Sequence, residues 1–540
     1  MKERLQQMKF SSYVIIHSII FLLSVLLNEG PWYFLLLTAA QLVYVPLVLQ
    51  LIMKKGDWFY KIYPYVSIPA YTSVFLLQVT GESSFDVFFA GVYLFFTVLV
   101  ATYGCSRFLN RGFIQFEEFA VDMGLLSLMI GGAWFFAHIG DIETGFSPII
   151  RWLTGIHFHY SSFLLPVFAG FLGRISKPPI YRLSTSILIV SPIIVALGIA
   201  YSVWLELLSV LLYIAGIYSL IYLSFKVPLQ QAKWLIRLSF SALGITILFS
   251  LAYALGNGWG VFTVSINFML KFHGILNCGL FALLGVIGWS IFTPSSADGP
   301  AFPISKVRGK RAIGEKILDE IADRNAEYQG LVDNMGIYEP GISLNSLSKE
   351  IISFYENTNQ YRLFAEVNWH RWFKPFAFIY RLFSGQVKQI NLPLSSKQAE
   401  MTGRIYPVKK EHDDRESVRA WVRKMNGDTA FVALYSYHST NEKTYMNIGL
   451  PLPGSAMIGI LELKQRGRDL QLSSKKEKQD SDAGVYLAFR QNLFKLPIEE
   501  VFHVRESAGG TLTAEHNMWI FRIPFLTIHY SIMKRQKNSF

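Results

Sequence analysis

Cysteine is scarce in this sequence. The 540 residues include only two cysteines, Cys105 and Cys278, and both lie in apolar segments. Two isolated cysteines provide neither a disulfide framework nor a CxxC metal site. We therefore expect both to be packing residues.

Charged residues are also few. They make up 16% of the chain, whereas apolar residues make up 52%, a balance that soluble proteins rarely have. Residues 10–293 contain very few charges, whereas residues 305–540 alternate charged and apolar residues. The sequence predicts a membrane-embedded region followed by a domain of soluble character.

The net charge of +12 does not indicate nucleic-acid binding. The cations lie in loops and in the tail, and they form no stripe interleaved with exposed aromatic residues. The anionic inner surface of a membrane is a better partner for them. We expect the lipid bilayer, and no nucleic acid, as a partner.

The apolar region predicts about ten transmembrane helices, because a bilayer core about 30 Å thick requires roughly 20 apolar residues per helix. The sequence Leu27–Gly30 lacks a small-x-small cleavage pattern, so the first helix is interpreted as uncleaved. The predicted spans are 12–28, 32–53, 62–80, 86–106, 119–138, 150–173, 183–202, 204–224, 234–255 and 266–292.

Loop charges predict the orientation of these helices, because Lys and Arg are retained on the cytoplasmic side. Alternate loops are basic, and the loops between them are acidic or neutral. The basic loops carry Lys54, Lys55, Lys61, Arg107, Arg111, Arg174, Lys177, Arg182, Lys226, Lys233 and Arg237. The other loops carry Glu29, Glu82, Asp86, Asp141, Glu143 and Glu206. With ten crossings, both termini are expected in the cytoplasm, where Lys306, Arg308, Lys310 and Arg311 fit the same rule.

The remainder of the chain predicts a linker at 294–310 and a cytoplasmic α+β domain at 311–540. Residues 311–333 and 343–363 have helical spacing of apolar residues. The first of these amphipathic helices, with its basic neighbours, is a candidate for membrane association.

Strand patterns follow beyond residue 386, separated by Gly, Asp and Ser turns, and predict an antiparallel sheet. The strand-like segments are Phe431–Tyr437, Met457–Leu463, Val485–Phe489 and Trp519–Tyr530. The histidines of this domain show no metal-ligand spacing, so we expect them to serve in packing. They are His370, His438, His503, His516 and His529.

Three motifs carry a family resemblance. They are Ile156–Tyr160 (IHFHY), Lys271–Asn277 (KFHGILN) and Met446–Pro453 (MNIGLPLP). Together they resemble the YndJ-like bacterial membrane proteins over the whole chain. This resemblance implies a bacterial plasma membrane location and brings no activity with it. Residues 348–392 also resemble a helix-grip, START-like lipid-binding domain in pattern.

Polar residues in the sixth and tenth predicted helices form one candidate site, since a polar group facing lipid costs several kcal/mol unless it has a partner or a function. The candidates all lie toward the outer side. They are Arg151, His157, His159, Lys271, His273 and Asn277. His273 and Asn277 share a helix face, whereas His157 and His159 point about 200° apart. At most one of the last two is expected beside His273.

Three interpretations of these residues compete. They form interhelical hydrogen bonds, or they line a pocket for an anionic or polar ligand such as a lipid headgroup, with Arg151 and Lys271 as its cations. Alternatively, the histidines ligate haem or a transition metal, which the adjacent cations and the absence of an HExxH motif disfavour.

A second candidate site opens the fifth predicted helix on the cytoplasmic side. Glu117, Glu118 and Asp122 lie there, and Glu118 and Asp122 share a face. Carboxylates at a helix N-terminus are stabilised by the helix dipole. Glu118 and Asp122 alternatively form a protonatable site, because Asp122 lies one turn into the apolar segment.

The sequence therefore favours an α-helical polytopic membrane protein that binds or moves a polar-headed small molecule or lipid. One alternative is a membrane-embedded enzyme or redox protein that uses histidines as metal or haem ligands. Another is a scaffold whose cytoplasmic domain recruits a partner. No cofactor is identified by the sequence.

The loop charges generate a topological prediction. Single cysteines introduced near Glu82 and Asp141 should react with an impermeant maleimide in intact cells, whereas cysteines near Lys177, Lys233 and the tail should react only after permeabilisation. Labelling of the tail from outside the cell would contradict the assigned orientation.

Overall fold

The computed structural model describes residues 2–229, 231–261, 264–296, 302–310, 313–323, 326–477, 481–489 and 492–535. The chain forms two compact units. The first comprises residues 1–109 and 115–298, and the second comprises residues 110–114 and 299–540. The predicted cytoplasmic cation Arg311 lies outside the described residues.

The first unit is a helical bundle. Several of its helices contain π-helical turns, at Ala40–Tyr44, Tyr160–Leu164, Met269–Gly274 and Asn277–Ala282. The helices are α1 (Lys2–Leu26), α2 (Phe34–Ile52), α3 (Trp58–Val79), α4 (Asp86–Arg111), α5 (Phe116–Ile139), α6 (Pro148–His159), α7 (Leu165–Ile175), α8 (Pro179–Tyr201), α9 (Val203–Lys226), α10 (Lys233–Trp259) and α11 (Ile266–Ile291).

Seven helices of the described chain are long and apolar enough to cross a membrane. These are α2, α4, α5, α8, α9, α10 and α11. The prediction of about ten spans is therefore not supported. The three predicted spans that drop out correspond to α1, α3 and the pair α6 and α7.

Each of these three has a physical reason for its lower apolar character. The apolar part of α1 is confined to Ser12–Leu26. Helix α3 contains Pro64 and Pro69 together with Lys61 and several tyrosines. The region of α6 and α7 carries two arginines and two histidines, and the π-helical turn Tyr160–Leu164 separates the two helices.

Small residues allow close helix packing around α5. A Cβ atom added to Gly170 of α7 would lie 2.6 Å from Val121 Cγ2 and 2.7 Å from the Glu117 carbonyl oxygen. One added to Gly124 would lie 2.9 Å from the Phe163 carbonyl oxygen. Close backbone approach at glycine is the usual basis of helix association in membranes. These glycines therefore set the distance between α5 and the chain at 160–175.

The second unit is built on an antiparallel sheet, as the sequence predicts. Its strands are β1 (Tyr361–Trp369), β2 (Ala399–Pro407), β3 (Arg419–Met425), β4 (Asp428–Thr440), β5 (Lys443–Leu452), β6 (Ser455–Arg466), β7 (Asp469–Ser473), β8 (Gly484–Phe489), β9 (Asn492–Lys495), β10 (Ile498–Glu506), β11 (Leu512–Ile520) and β12 (Ile523–Lys534). The hydrogen-bonded order β5-β4-β3-β2-β1-β12-β11-β10-β7-β6 is closed by pairing of β6 with β5. The result is a barrel of ten strands, with β8 and β9 extending from β6.

Side chains alternate between two apolar layers, as the two-residue period of a strand requires. On β4, Ala433 and Tyr435 join a cluster with Met335 and Ile351 of the segment that precedes β1. The intervening Val432 and Leu434 join a different cluster with Ile317. The barrel wall at β3 and β4 is thus buried on both faces, which explains the continuous apolar run in this part of the sequence.

The helical predictions for this unit need correction. Only α12 (Lys316–Ile321) is helical in the described part of residues 311–333, and its Ile317, Leu318 and Ile321 are buried. Its apolar face packs on the barrel wall, so it is not available to a membrane. Helix α13 (Lys349–Glu356) is shorter than predicted, because β1 begins at Tyr361.

Two further predicted segments differ in the structure. Residues 302–310, predicted as part of a linker, pack on the second unit: the Asn447 amide donates to the Pro303 carbonyl, and Gly309 bridges to Pro453. The predicted strand Trp519–Tyr530 is a hairpin that turns at Phe521 and Arg522, which have φ of 48° and 67°. The sequence has no Gly or Asn there to indicate a turn.

The glycine contact at Gly170 generates a stability prediction. Gly170→Ala should lower the free energy of unfolding of the bundle by about 1–3 kcal/mol, because the added methyl overpacks a backbone contact. Gly279→Ala is the control, since a Cβ there would meet nothing within 4 Å. Thermal unfolding in detergent micelles measures both, and equal melting temperatures would contradict the close packing of α5 and α7.

Candidate functional site

The structure brings two of the predicted histidines together. His157, near the end of α6, and His273, in the π-helical turn of α11, have ring centroids 6.4 Å apart. His157 is exposed, whereas His273 is half-buried. The pair therefore joins the two sequence motifs in space.

His273 is held by hydrogen bonds on both ring nitrogens. Its Nδ1 lies 3.0 Å from the Thr246 carbonyl oxygen, and its Nε2 lies 3.0 Å from Asn277 Nδ2. Since a carbonyl only accepts and an amide NH₂ only donates, Nδ1 donates and Nε2 accepts. Thr246 Oγ1 in turn donates to Asn277 Oδ1 over 2.8 Å. This network fixes His273 as a neutral, oriented ring.

His157 is held on one side only. Its Nδ1 lies 2.6 Å from the Leu153 carbonyl oxygen, one turn earlier in the same helix, so Nδ1 donates. Within the described chain, no partner lies within hydrogen-bond distance of Nε2. Nε2 is thus an acceptor on an exposed side chain of an apolar region. It can accept a hydrogen bond from an O–H or N–H group of a ligand.

The other predicted histidine serves a different contact. His159 is fully buried, and its ring lies 2.8 Å from both the Tyr93 hydroxyl and the Gly155 carbonyl oxygen. It therefore joins α6 to α4. As the helix periodicity indicates, only one of His157 and His159 lies beside His273.

The two predicted cations do not converge on the histidine pair. Arg151 is buried, forms an ion pair with Asp141 and donates to the Ile142 carbonyl oxygen. Its charge is therefore matched within the protein. Lys271 is exposed and lies two residues from His273 in the same π-helical turn, so the two side chains leave the helix on different sides. The geometry gives little support to a strongly anionic pocket.

Three of the π-helical turns contact one another. Tyr44 of α2 donates to the Cys278 carbonyl over 2.8 Å, and the Tyr44 and Tyr160 rings lie 6.0 Å apart. These residues belong to the π-helical turns of α2, of α11 and of the link between α6 and α7. Such turns are frequent at functional sites, because they reorient side chains and free backbone groups.

The carboxylates of the second candidate site form a buried ion-pair cluster. Arg107 lies 2.8 Å from Glu118 and 2.7 Å from Asp122, and Arg174 lies 2.6 Å from Glu118. The side chains of all four are at most 9% exposed. Helices α4, α5 and α7 are thereby joined through charge-assisted hydrogen bonds.

Adjacent residues extend the cluster. Lys177 lies 2.6 Å from Glu117, and Arg174 also donates to the Pro294 carbonyl oxygen over 3.1 Å. In these contacts, which cover only part of the described chain, three cations face three carboxylates. This arrangement favours a structural role for Glu118 and Asp122 over a protonatable site, which stays a prediction.

Sequence reasoning missed the cationic half of this cluster. Arg107 and Arg174 were interpreted as loop cations that mark orientation, yet both are buried partners of α5. A usable signal exists: Arg107 lies inside an apolar helix, and Glu118 and Asp122 occur at the start of the next one. Among the described residues, no group of three or more His, Cys, Asp or Glu side chains lies close enough to hold a metal ion.

The long apolar helices define a membrane protein with several candidate spans, followed by a closed antiparallel β-barrel domain. The chain belongs to the YndJ-like family, as its motifs indicate. The YndJ-like family model matches residues 35–281. A relative from Bacillus subtilis (strain 168), described as "Uncharacterized membrane protein YndJ", is 40% identical over 454 residues, which cover 82% of this chain and 83% of the relative. No solved structure matches the chain, so the START-like pattern at 348–392 stays a prediction.

The ion-pair cluster generates a stability prediction. Arg107→Met should destabilise the bundle by about 3–5 kcal/mol, because Asp122 and Glu118 lose a buried cationic partner. The double variant Arg107→Met/Asp122→Leu should recover much of this loss, because one cation and one carboxylate are removed together.

Lys55→Met is the control, since it removes an exposed cation of the same unit. Melting temperatures in micelles provide the measurement for all three variants. Equal effects of Lys55→Met and Arg107→Met, or additive effects in the double variant, would contradict the coupling.

Proposed function

We propose that the pair His157 and His273 binds a lipid, or another small molecule with a polar headgroup, within the helical bundle. The supporting observation is the open Nε2 of His157, an acceptor on an exposed side chain among apolar residues. An unpaired polar group in hydrocarbon costs several kcal/mol. A ligand donor would remove that cost.

The geometry favours a ligand that donates hydrogen bonds. In the arrangement present, His273 has no nitrogen left to offer, because Thr246 and Asn277 use both. His157 accepts, and Arg151 is matched by Asp141. A headgroup with hydroxyl or primary ammonium groups fits such a site better than one that carries only anionic charge.

We also propose that the second unit lies in the cytoplasm of a bacterial cell. Lys306, Arg308 and Lys310 follow the last apolar helix, and such residues are retained on the inner side. The predicted placement of both termini on that side requires an even number of crossings. Seven described helices, an odd number, meet the length and hydropathy requirements. The cytoplasmic placement is therefore proposed for the second unit and not for the N-terminus.

The metal or haem alternative has less support. His273 already uses both ring nitrogens, so ligation by it would require loss of the bond to Asn277 or to Thr246. No metal-binding group of three or more side chains is found in the described ranges. A role in moving the ligand across the membrane would build on binding at the same residues.

His157→Ala tests the proposal. Its ring makes one hydrogen bond, within its own helix, and is exposed, so the change should alter the melting temperature little. The variant should, however, lose a lipid or small molecule that co-purifies with the parent protein, as measured by native mass spectrometry. When lipids are added back, phosphatidylethanolamine should bind more tightly than phosphatidylcholine, which has no N–H donor.

His159→Ala is the matched control. It should lower stability by about 1–3 kcal/mol, because two buried hydrogen bonds are lost, and should leave the retained ligand unchanged in the folded fraction. If His157→Ala binds the same lipids as the parent protein with the same preference, the proposal is wrong.

A further inference from the structure

Helix α14 (Lys374–Val387) in the second unit has its large apolar side chains on the outside. The residues it buries are small, Ala377 and Ser384. Its exposed residues include Phe376, Phe378, Ile379, Tyr380, Leu382 and Phe383, which are 40–62% exposed. A surface helix of a soluble domain has the reverse arrangement. The outer face of α14 is therefore suited to an apolar environment.

The exposed apolar surface continues beyond the helix. Trp372, just before α14, is 43% exposed, and its Nε1 donates to the Pro524 carbonyl over 2.8 Å. This contact places the β11–β12 turn beside the start of the helix, and Phe521 and Ile523 of that turn are 61% and 52% exposed. Contiguous apolar surfaces of this kind mark interaction sites.

The charged residues in the sequence around α14 all have one sign. Residues 367–399 contain no Asp or Glu. The same stretch contains the cations Arg371, Lys374, Arg381, Lys388 and Lys397. An apolar helix face flanked by Lys and Arg, with Trp and Tyr near it, has the composition of helices that lie in the headgroup region of anionic membranes.

We propose that α14 binds the surface of an anionic lipid bilayer. Its Phe, Ile and Leu side chains enter the acyl boundary to about 5–10 Å, and its cations contact lipid phosphates. Because the second unit is covalently connected to the bundle, lipid is favoured over another protein as the partner of α14. The second unit joins the apolar bundle at three points of the chain, after residue 109, before residue 115 and after residue 298. The bilayer is therefore always present at high effective concentration.

The experiment uses the full chain in nanodiscs that contain phosphatidylglycerol. In a Cys105→Ser/Cys278→Ala background, a nitroxide is attached at Phe383→Cys, and its collision rates with oxygen and with a water-soluble nickel complex are measured by electron paramagnetic resonance. The oxygen rate should exceed the nickel rate, because oxygen concentrates in lipid. The exposed position of Phe383 makes the substitution compatible with folding, which gel filtration verifies.

Arg468→Cys provides the control. Arg468 lies in the β6–β7 turn and is 76% exposed. The strand register places that turn at one end of the strands and Trp369, which precedes α14, at the opposite end. Here the nickel rate should exceed the oxygen rate. The proposal is overturned if the nitroxide at 383 has the same collision rates as the nitroxide at 468. It is also overturned if the nitroxide at 383 is protected from both reagents, because that result indicates contact with a second copy or another protein.

The role of charge has its own test. Lys374→Glu/Lys388→Glu should shift the 383 signal toward water, and discs of phosphatidylcholine alone should do the same to the unchanged helix. If neither alters the signal, the electrostatic half of the proposal is overturned.

Discussion

The bundle depends on the burial of charge at one place. Arg107, Glu118, Asp122 and Arg174 are removed from water, and each would be costly if it were alone in a medium of low dielectric constant. Together they satisfy one another only when α4, α5 and α7 are in register. Correct alignment of three helices is therefore a condition for burying any of these groups. The close glycine contacts of α5 are made in this same alignment.

The histidine pair follows a different rule. In the ion cluster every carboxylate faces a cation, whereas in the pair one ring is fully bonded and the other is bonded on one side. Stability requires polar groups to be paired inside a membrane, so an incompletely paired one is a natural candidate for binding. The contrast between two polar sites in the same bundle supports the choice of His157 over Glu118 as a functional residue.

Features set by local interactions were predicted from the sequence, whereas features set by contacts between distant residues were not. Local patterns located the antiparallel strands at Phe431–Tyr437 and Met457–Leu463 correctly, because periodicity and burial are local properties. The hairpin turn at Phe521 was missed, since it uses residues that rarely adopt positive φ. The partners of Glu118 were missed because pairing between helices leaves no periodic signal. Depth and helix face identified the histidines, but not the neutralisation of Arg151 by Asp141.

The pairing of the first barrel strand with the last has a consequence for biosynthesis. Tyr361, the first residue of β1, pairs with Lys534, the last residue of β12. No nascent fragment that lacks β12 can close the ring, so closure must await synthesis of β12. Contacts between such distant segments also make closure slow. Until then, the edges of β1 and β11 remain unpaired, and the nascent domain would be a substrate for chaperones that cover exposed strands.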